Sequence, residues 1–151
     1  MAEHEGGCEC GLVRYRMTDE PMFVNCCHCR QCQKITGSAF AINGMVEADR
    51  LELLQGRDRI AAKDGEVRCA QCNTLLWAAH RRFGSKIQFV RLGTLDEAER
   101  IKPDAHFFVR SKHSWVVVPA DVPTFETLPA DGDPPLIDGL AARRLEAARG
   151  G

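Results

Sequence analysis

Cysteine is the residue type with the richest chemistry in this 151-residue chain, and its eight cysteines stand in close groups. The groups are Cys8 with Cys10, Cys26 with Cys27, Cys29 and Cys32, and Cys69 with Cys72. Cysteines that form disulfides are usually found in secreted proteins, whereas close groups in a reducing compartment are typical of metal sites. The spacing therefore predicts bound metal.

Two of the groups can combine into one closed site. Cys8 and Cys10 flank a single residue at the entry to a predicted strand, so their side chains point to the same side. Cys69 and Cys72 form a CxxC knuckle further along the chain. Two such pairs complete a tetrahedral zinc site of four thiolates with no open position, which predicts a structural zinc. A redox-active CxxC pair and inert buried thiols are the alternatives.

The remaining group has one ligand too few for a closed site. Cys27, Cys29 and Cys32 can wrap three sulfurs around one ion, and three protein ligands with a vacant position are typical of catalytic zinc. A zinc held by three thiolates suits the binding of a substrate thiolate, which predicts sulfur chemistry. Cys26 is expected to be a small buried side chain, because neighbours on a strand point to opposite faces. The alternative makes Cys26 a fourth ligand that closes the site.

Residues around this open group supply further candidates. His28 lies between two ligands and is predicted among the catalytic residues with Cys27, Cys29 and Cys32, as a hydrogen-bonding and acid–base partner of the site. The alternative is a packed or solvated ring. Lys34 and the backbone N–H groups of Gly37 and Ser38 could hold a substrate carboxylate, or they form only a solvated side chain and a turn.

Other histidines and aromatic residues give weaker signals. His80, His106 and His113 have no metal-ligand spacing among themselves, and we interpret them as strand residues, with His106 the one that could approach the site. Trp115 and Phe40 are expected to pack in the core, because aromatic residues in alternating strands usually point inward.

The elements that must position these residues are mostly short strands. The predicted strands are "LVRYRM" (12–17), "MFVNC" (22–26), "SAFAINGMVE" (38–47, bent at Gly44), "RLELLQG" (50–56), "TLLWAAH" (74–80), "KIQFVRLG" (86–93), "HFFVR" (106–110) and "WVVVP" (115–119). Residues 1–7 are expected to be a disordered lead, 57–66 a polar segment with a turn at Asp64-Gly65, and 95–100 a single helical turn. The fold class is therefore mainly β.

Composition narrows the function classes. The chain is 44% hydrophobic with a formal net charge of −1, which is ordinary for a globular protein and indicates neither a nucleic-acid nor a membrane partner. Without an apolar run of membrane length or a signal peptide, a cytoplasmic location is expected. Residues 1–128 are predicted to form one domain, followed over 129–151 by a linker and a tail or short helix docked through Leu140 and Leu145.

Five segments in order carry a family resemblance: "GGCECGLVRY", "CHCRQCQKITGSAF", "CAQCNTLL", "GTLD" and "PDAHFFVRSKHSW". Together they resemble the glutathione-dependent formaldehyde-activating enzyme family, whose domain also occurs in centromere protein V. The resemblance implies several coiled antiparallel sheets stapled by zinc, similar to the methionine-R-sulfoxide reductase-like fold. It also implies two zinc ions per chain, one structural and one catalytic or exchangeable. The structural ion would be held by Cys8, Cys10, Cys69 and Cys72, and the open one by Cys27, Cys29 and Cys32.

The resemblance further implies a carbon–sulfur lyase that joins glutathione and formaldehyde into S-hydroxymethylglutathione, so the expected partners are a small thiol and a small aldehyde. The sequence departs from the family at Asn73, where glycine is usual, and at Cys26, where an apolar residue is usual. Asparagine tolerates the left-handed conformation, so the knuckle should form. A non-catalytic zinc-stabilised binding module and a glutathione or thiol carrier are the alternative functions.

Overall fold

The computed structural model describes residues 2–150, and most of its regular structure is β. The strands are β1 (His4–Gly7), β2 (Arg14–Met17), β3 (Phe23–Cys27), β4 (Ala41–Glu47), β5 (Leu51–Gln55), β6 (Ile60–Lys63), β7 (Glu66–Cys69), β8 (Leu75–His80), β9 (Gly84–Arg91) and β10 (Ala105–Phe107). The helices are α1 (Arg30–Thr36) and α2 (Gly139–Gly150), with short 3-10 turns between strands. The predicted mainly β fold class is confirmed.

The strands form a three-stranded sheet, in the order β1-β2-β5, and a seven-stranded sheet, in the order β10-β3-β4-β9-β8-β7-β6. All pairs are antiparallel except β10 with β3, which is parallel. The alternation of β2 places Tyr15 and Met17 in the core, together with Val13 just before the strand, and each is 0% exposed. Tyr15 packs edge-on against Trp77, with ring centroids 5.2 Å apart, so this face of β2 joins the two sheets.

Strand β3 is buried along its whole length and carries the cysteine cluster into the protein. Its neighbour β4 passes through Gly44 as a regular strand without the predicted bend. A Cβ on Gly44 would lie 2.8 Å from the Leu92 side chain, so glycine is needed there for close packing and not for a turn. Strand β3 itself lies between β4 and β10 in the larger sheet and is paired on both edges.

Helix α1 follows β3 after two residues and was not expected from the sequence. Cys29 is its N-cap residue, and its sulfur accepts a hydrogen bond from the backbone N–H of Cys32. Gly37 ends the helix in the left-handed conformation, with φ 65°, which glycine adopts at little cost. Cys29 and Cys32 are therefore the N-cap residue and a first-turn residue of the same helix.

Two sequence predictions were wrong in the N-terminal half. Residues 4–7 are not disordered but form β1, where His4 is buried and hydrogen-bonded to Glu20; Met1 lies outside the described residues. The segment 57–66 holds β6 and the start of β7, joined by a tight turn at the predicted Asp64-Gly65. The sequences of β6 and β7 have no alternating apolar pattern, so the strands could not be identified from periodicity.

The predicted strand 115–119 is also absent. Trp115 is 72% exposed and not in the core, although Phe40 is half-buried against His28. Lys112 donates to the carbonyl groups of His113 and Val116, which folds this segment into a turn. The segment 106–110 is likewise a strand only to Phe107, because Phe108 adopts φ 57° and begins a 3-10 turn.

Helix α2 packs on the larger sheet at the C-terminal end of the described chain. Leu145 and Ala148 pack on an apolar cluster that includes Met45 and Ile87, whereas Leu140, also predicted to dock, is 66% exposed. Arg144 donates two hydrogen bonds to the Glu47 carboxylate, at 2.8 and 2.6 Å. Neither helix is long and apolar enough to cross a membrane, among residues 2–150.

Candidate functional site

The four cysteines of the predicted closed site lie together. The sulfur atoms of Cys8, Cys10, Cys69 and Cys72 are all within 4.8 Å of one another. The Cys8 and Cys10 sulfurs are 3.5 Å apart, and those of Cys10 and Cys69 are 3.7 Å apart. Zinc–sulfur bonds of about 2.3 Å in tetrahedral geometry place sulfurs about 3.8 Å apart. The donor set and its spacing therefore fit a zinc ion.

Backbone hydrogen bonds shape both halves of this closed group. The N–H of Cys8 donates to the carbonyl of Val13, which closes the turn between β1 and β2. In the knuckle, the N–H of Asn73 donates to the carbonyl of Cys69, and Asn73 adopts φ 64°. Asparagine thus takes the left-handed position that glycine usually fills.

Thr74 links the two halves of the closed group. Its hydroxyl oxygen accepts from the backbone N–H of Glu9 at 3.1 Å and lies 3.1 Å from the Cys72 sulfur. The hydrogen bond from Thr74 is the largest of the effects that lower the pKa of Cys72 to about 6. The thiolate form, which is the metal ligand, is therefore favoured at this position.

The three cysteines of the predicted open site also converge, with their sulfurs within 4.8 Å of one another. Cys27 ends β3 and is buried, Cys29 caps α1, and Cys32 lies in the first helical turn. Cys29 and Cys32 are half-exposed, so this group is reachable from solvent on one side. Cys26 is not part of it. The group has three sulfur donors and fits a metal ion with one position left for another ligand.

The electrostatics of the open group favour a thiolate at Cys27. A hydrogen bond from Cys32 lowers the pKa of Cys27 to about 6, and the positive charge of Arg91 acts in the same direction, against the effect of burial. The same contact, together with burial, raises the pKa of Cys32. Arg91, at the end of β9, was not selected from the sequence. Its signal is a charged residue inside the apolar run "KIQFVRLG".

Cys26 and His28 lie in a separate cluster with His106. The Nε2 of His28 is 2.9 Å from the Nδ1 of His106 and 3.6 Å from the Cys26 sulfur. Cys26 is 1% exposed, His28 0% and His106 7%. Burial lowers the pKa of His28 to about 4 and raises that of Cys26 to about 12. The sequence predicted only that His106 could approach the site. Its contact with Cys26 and His28 depends on the pairing of β10 with β3, which are far apart in the sequence.

Backbone contacts fix the segment between the ligands. The N–H of His28 donates to the carbonyl of Phe107 at 2.9 Å, which extends the pairing of β10 with β3. The buried Gln33 side chain donates to the carbonyl of His28 at 2.8 Å and to that of Ser111 at 3.0 Å. Gln33, which the sequence did not single out, thus ties α1 to the ligand segment.

The predicted substrate-binding residues lie at and beyond the end of α1. Lys34 is exposed in the last turn. The N–H groups of Gly37 and Ser38 both donate to the carbonyl of Gln33, at 2.8 and 3.3 Å. These two N–H groups are therefore already hydrogen-bonded in the helix cap. Of the three predicted substrate-binding residues, Lys34 has an exposed side chain with a positive charge.

Comparison with known proteins agrees with this arrangement. The family of the glutathione-dependent formaldehyde-activating enzyme matches residues 3–111, a stretch that contains all three clusters. A Halomonas elongata protein named "Putative glutathione-dependent formaldehyde-activating enzyme" is 26% identical over 126 residues, covering 76% of this chain and 80% of its own length. An uncharacterized lyase of Schizosaccharomyces pombe is 25% identical over 114 residues, covering 74% and 82%.

A crystal structure of a Rhodobacter sphaeroides protein resembles this chain with a TM-score of 0.48 and 17% identity, over 80% of this chain and 99% of that one. The family match covers well over half of the sequence and includes every cysteine. The chain belongs to the glutathione-dependent formaldehyde-activating enzyme family.

Proposed function

We propose that this chain is a zinc-dependent carbon–sulfur lyase that joins glutathione and formaldehyde into S-hydroxymethylglutathione, or acts on a related adduct of a small thiol and an aldehyde. The observation that carries the proposal is the half-exposed group of Cys27, Cys29 and Cys32, which offers three sulfur donors and, within residues 2–150, no fourth. Membership of the family and the lyase name of the fission-yeast relative support it.

Two zinc ions per chain are proposed for the two all-cysteine groups. Cys8, Cys10, Cys69 and Cys72 would hold a structural ion, and Cys27, Cys29 and Cys32 would hold the second. A zinc ion at the second group, when bound, offers an exchangeable position at which a thiol loses its proton. Four thiolates saturate the first ion, so the reaction is assigned to the second.

The proposed reaction forms one carbon–sulfur bond. The glutathione thiolate attacks the formaldehyde carbon, and the electron pair of the C=O double bond moves to the oxygen. That oxygen takes up the proton that the thiol lost, which gives a hemithioacetal, and the reverse reaction breaks the same bond. Both reactants are small and the addition is reversible, so the protein needs to supply mainly proximity and orientation.

Three residues outside the ligands have proposed roles. Arg91 supplies a positive charge that offsets the negative charge of the clustered thiolates. Lys34, exposed one helical position beyond Gln33, is proposed to hold a glutathione carboxylate. His28 was predicted among the catalytic residues, and we propose a positioning role for it, because its backbone contacts with Phe107 and Gln33 hold the chain between Cys27 and Cys29.

The proposal is tested by exchange NMR on a mixture of glutathione and formaldehyde. The wild-type protein should raise the exchange rate between glutathione and its hydroxymethyl adduct, and Cys29→Ser should return it to the uncatalysed rate. Serine is a good N-cap residue, so this variant removes a sulfur ligand and keeps the cap of α1.

The matched control is Lys63→Ala, an exposed lysine on β6 at the opposite end of the larger sheet from β3. It should keep the wild-type rate. A zinc-loaded wild-type protein that binds glutathione but leaves exchange at the uncatalysed rate would contradict the proposal and indicate a thiol carrier. A protein that binds neither glutathione nor another small thiol would indicate a binding module.

A further inference from the structure

A third cluster of metal-ligand types lies outside the two all-cysteine groups. It consists of Cys26 in β3, His28 just after β3, and His106 in β10. One donor atom from each residue lies within 4.8 Å of the other two. The proposed reaction uses none of these three side chains as a ligand.

Strand geometry explains why the three side chains meet. Cys26 and His28 are two residues apart on an extended chain, so they point to the same face. His106 is the register partner of Cys26 in the parallel pair of β10 and β3, and paired residues on neighbouring strands share a face. Cys27 lies between Cys26 and His28 and points the other way. The two sides of one strand therefore carry two separate donor sets.

The spacing of the donors is close to that of a metal site. Tetrahedral zinc with bonds of about 2.3 Å to sulfur and about 2.0–2.1 Å to nitrogen places sulfur and nitrogen about 3.6 Å apart, and two nitrogens about 3.4 Å apart. The Cys26 sulfur is 3.6 Å from the Nε2 of His28. The nitrogens of His28 and His106 are 2.9 Å apart and need to separate by only a few tenths of an ångström.

Hydrogen bonding leaves one polar atom of this cluster without a partner among the described residues. The ring of His28 is fully buried, and its Nδ1 has no hydrogen-bond partner within residues 2–150. Its Nε2 shares one short contact with His106, so the imidazole uses only one of its two polar atoms. The Nε2 of His28 is the donor atom that both Cys26 and His106 approach.

We propose that Cys26, His28 and His106 bind a third transition-metal ion. One thiolate and two imidazoles suit a borderline-soft ion such as Zn²⁺ or Cu²⁺, and not Mg²⁺ or Ca²⁺, which prefer oxygen ligands. The three side chains are buried, unlike the open group, so an ion there would offer no position to a ligand from solvent and would be structural. It joins β10 to β3 directly behind Cys27 and fixes the strand from which the open group extends.

The first test is metal content and X-ray absorption of untagged, full-length protein produced with zinc or with zinc and copper. We expect three ions per chain, and we expect the scattering of coordinated imidazole, because the two all-cysteine groups contain no histidine. Three zinc ions identify zinc in the third site, and two zinc ions with one copper identify copper. Two ions per chain without imidazole scattering would overturn the proposal.

Variants locate the third ion. Cys26→Ala and His106→Gln should each lose one ion per chain and the imidazole scattering, while Cys29→Ser should keep that scattering. His80→Gln, on an exposed histidine of β8, is the matched control and should keep three ions. Retention of three ions and imidazole scattering by His106→Gln would overturn the assignment. The inference is independent of the lyase proposal, because the wild-type spectrum answers it without any activity measurement.

Discussion

The closed and open cysteine groups use the same donor atoms but join different parts of the chain. The closed group takes one pair from residues 8–10, beside the smaller sheet, and the other from 69–72, at the end of β7 in the larger sheet. The open group takes all three sulfurs from residues 27–32. An ion in the closed group therefore constrains distant segments, whereas an ion in the open group constrains one strand end and one helical turn.

We infer from this difference that the two groups have different tasks. Metal binding that organises distant segments contributes directly to the free energy of folding. The open group adds little of this kind, because the N-cap of α1 and the backbone bond from His28 to Phe107 already order its segment. Its two half-exposed sulfurs are instead available to a ligand from solvent. The sequence separation of the cysteines is thus the ground on which we propose a structural role for the closed group and a reactive role for the open one.

The largest effect should come from breaking the closed group. Cys69 is 1% exposed, and we expect Cys69→Ser to unfold the chain, because structural zinc contributes on the order of 10 kcal/mol and a domain is stable by only about 5–15 kcal/mol. Circular dichroism during thermal and urea unfolding, with zinc content measured on the same samples, gives the comparison.

The paired variant is Cys29→Ser in the open group. It keeps the helix cap, so its free energy of unfolding should lie within about 1 kcal/mol of the wild-type value. Equal destabilisation by the two substitutions would show that both groups are structural, and the distinction between them would fail.

Much of the fold and of these groups could be predicted from the sequence, because the signals are local. Alternation identified the buried face of β2, and the spacing of cysteines identified residues that the structure brings together. The contact of Cys26 and His28 with His106 could not be predicted, because it depends on the parallel pairing of β10 with β3 across about eighty residues of chain. The run "WVVVP" was misleading, because an apolar segment becomes a strand only when a neighbour pairs with it.

A smaller effect should come from the backbone of the closed group. Asn73 adopts φ 64° in the knuckle, and we expect Asn73→Ala to lower the free energy of unfolding by about 1 kcal/mol, since residues with a Cβ other than Asn and Asp are strained there. Asn73→Gly should be at least as stable as the wild type. Urea unfolding at a fixed zinc concentration measures both.

The matching position beside the open group is Gly37, with φ 65° and no atom within 4 Å of an added Cβ. Gly37→Ala should also cost about 1 kcal/mol, from the backbone alone. The two variants should differ in zinc retention. Asn73→Ala should bind the ion of the closed group less tightly, because the knuckle supplies two of its ligands. Gly37→Ala should keep both ions, because Gly37 follows the C-terminal end of α1 and the ligands of the open group lie at the other end. If Asn73→Ala bound both ions as tightly as Gly37→Ala does, the knuckle would not depend on this residue.

The smallest effect should appear at the rim of the open group. Lys34 is exposed, and an ion pair with a glutathione carboxylate there is worth about 0.2–1 kcal/mol. We therefore expect Lys34→Ala to raise the KM for glutathione about two- to five-fold with kcat unchanged, because the contact is the same in the ground and transition states. The difference should shrink as salt is added, since exposed charges are screened. Lys63→Ala should leave both constants at wild-type values, and a fall in kcat for Lys34→Ala without a change in KM would place the lysine in the chemical step instead of at the carboxylate.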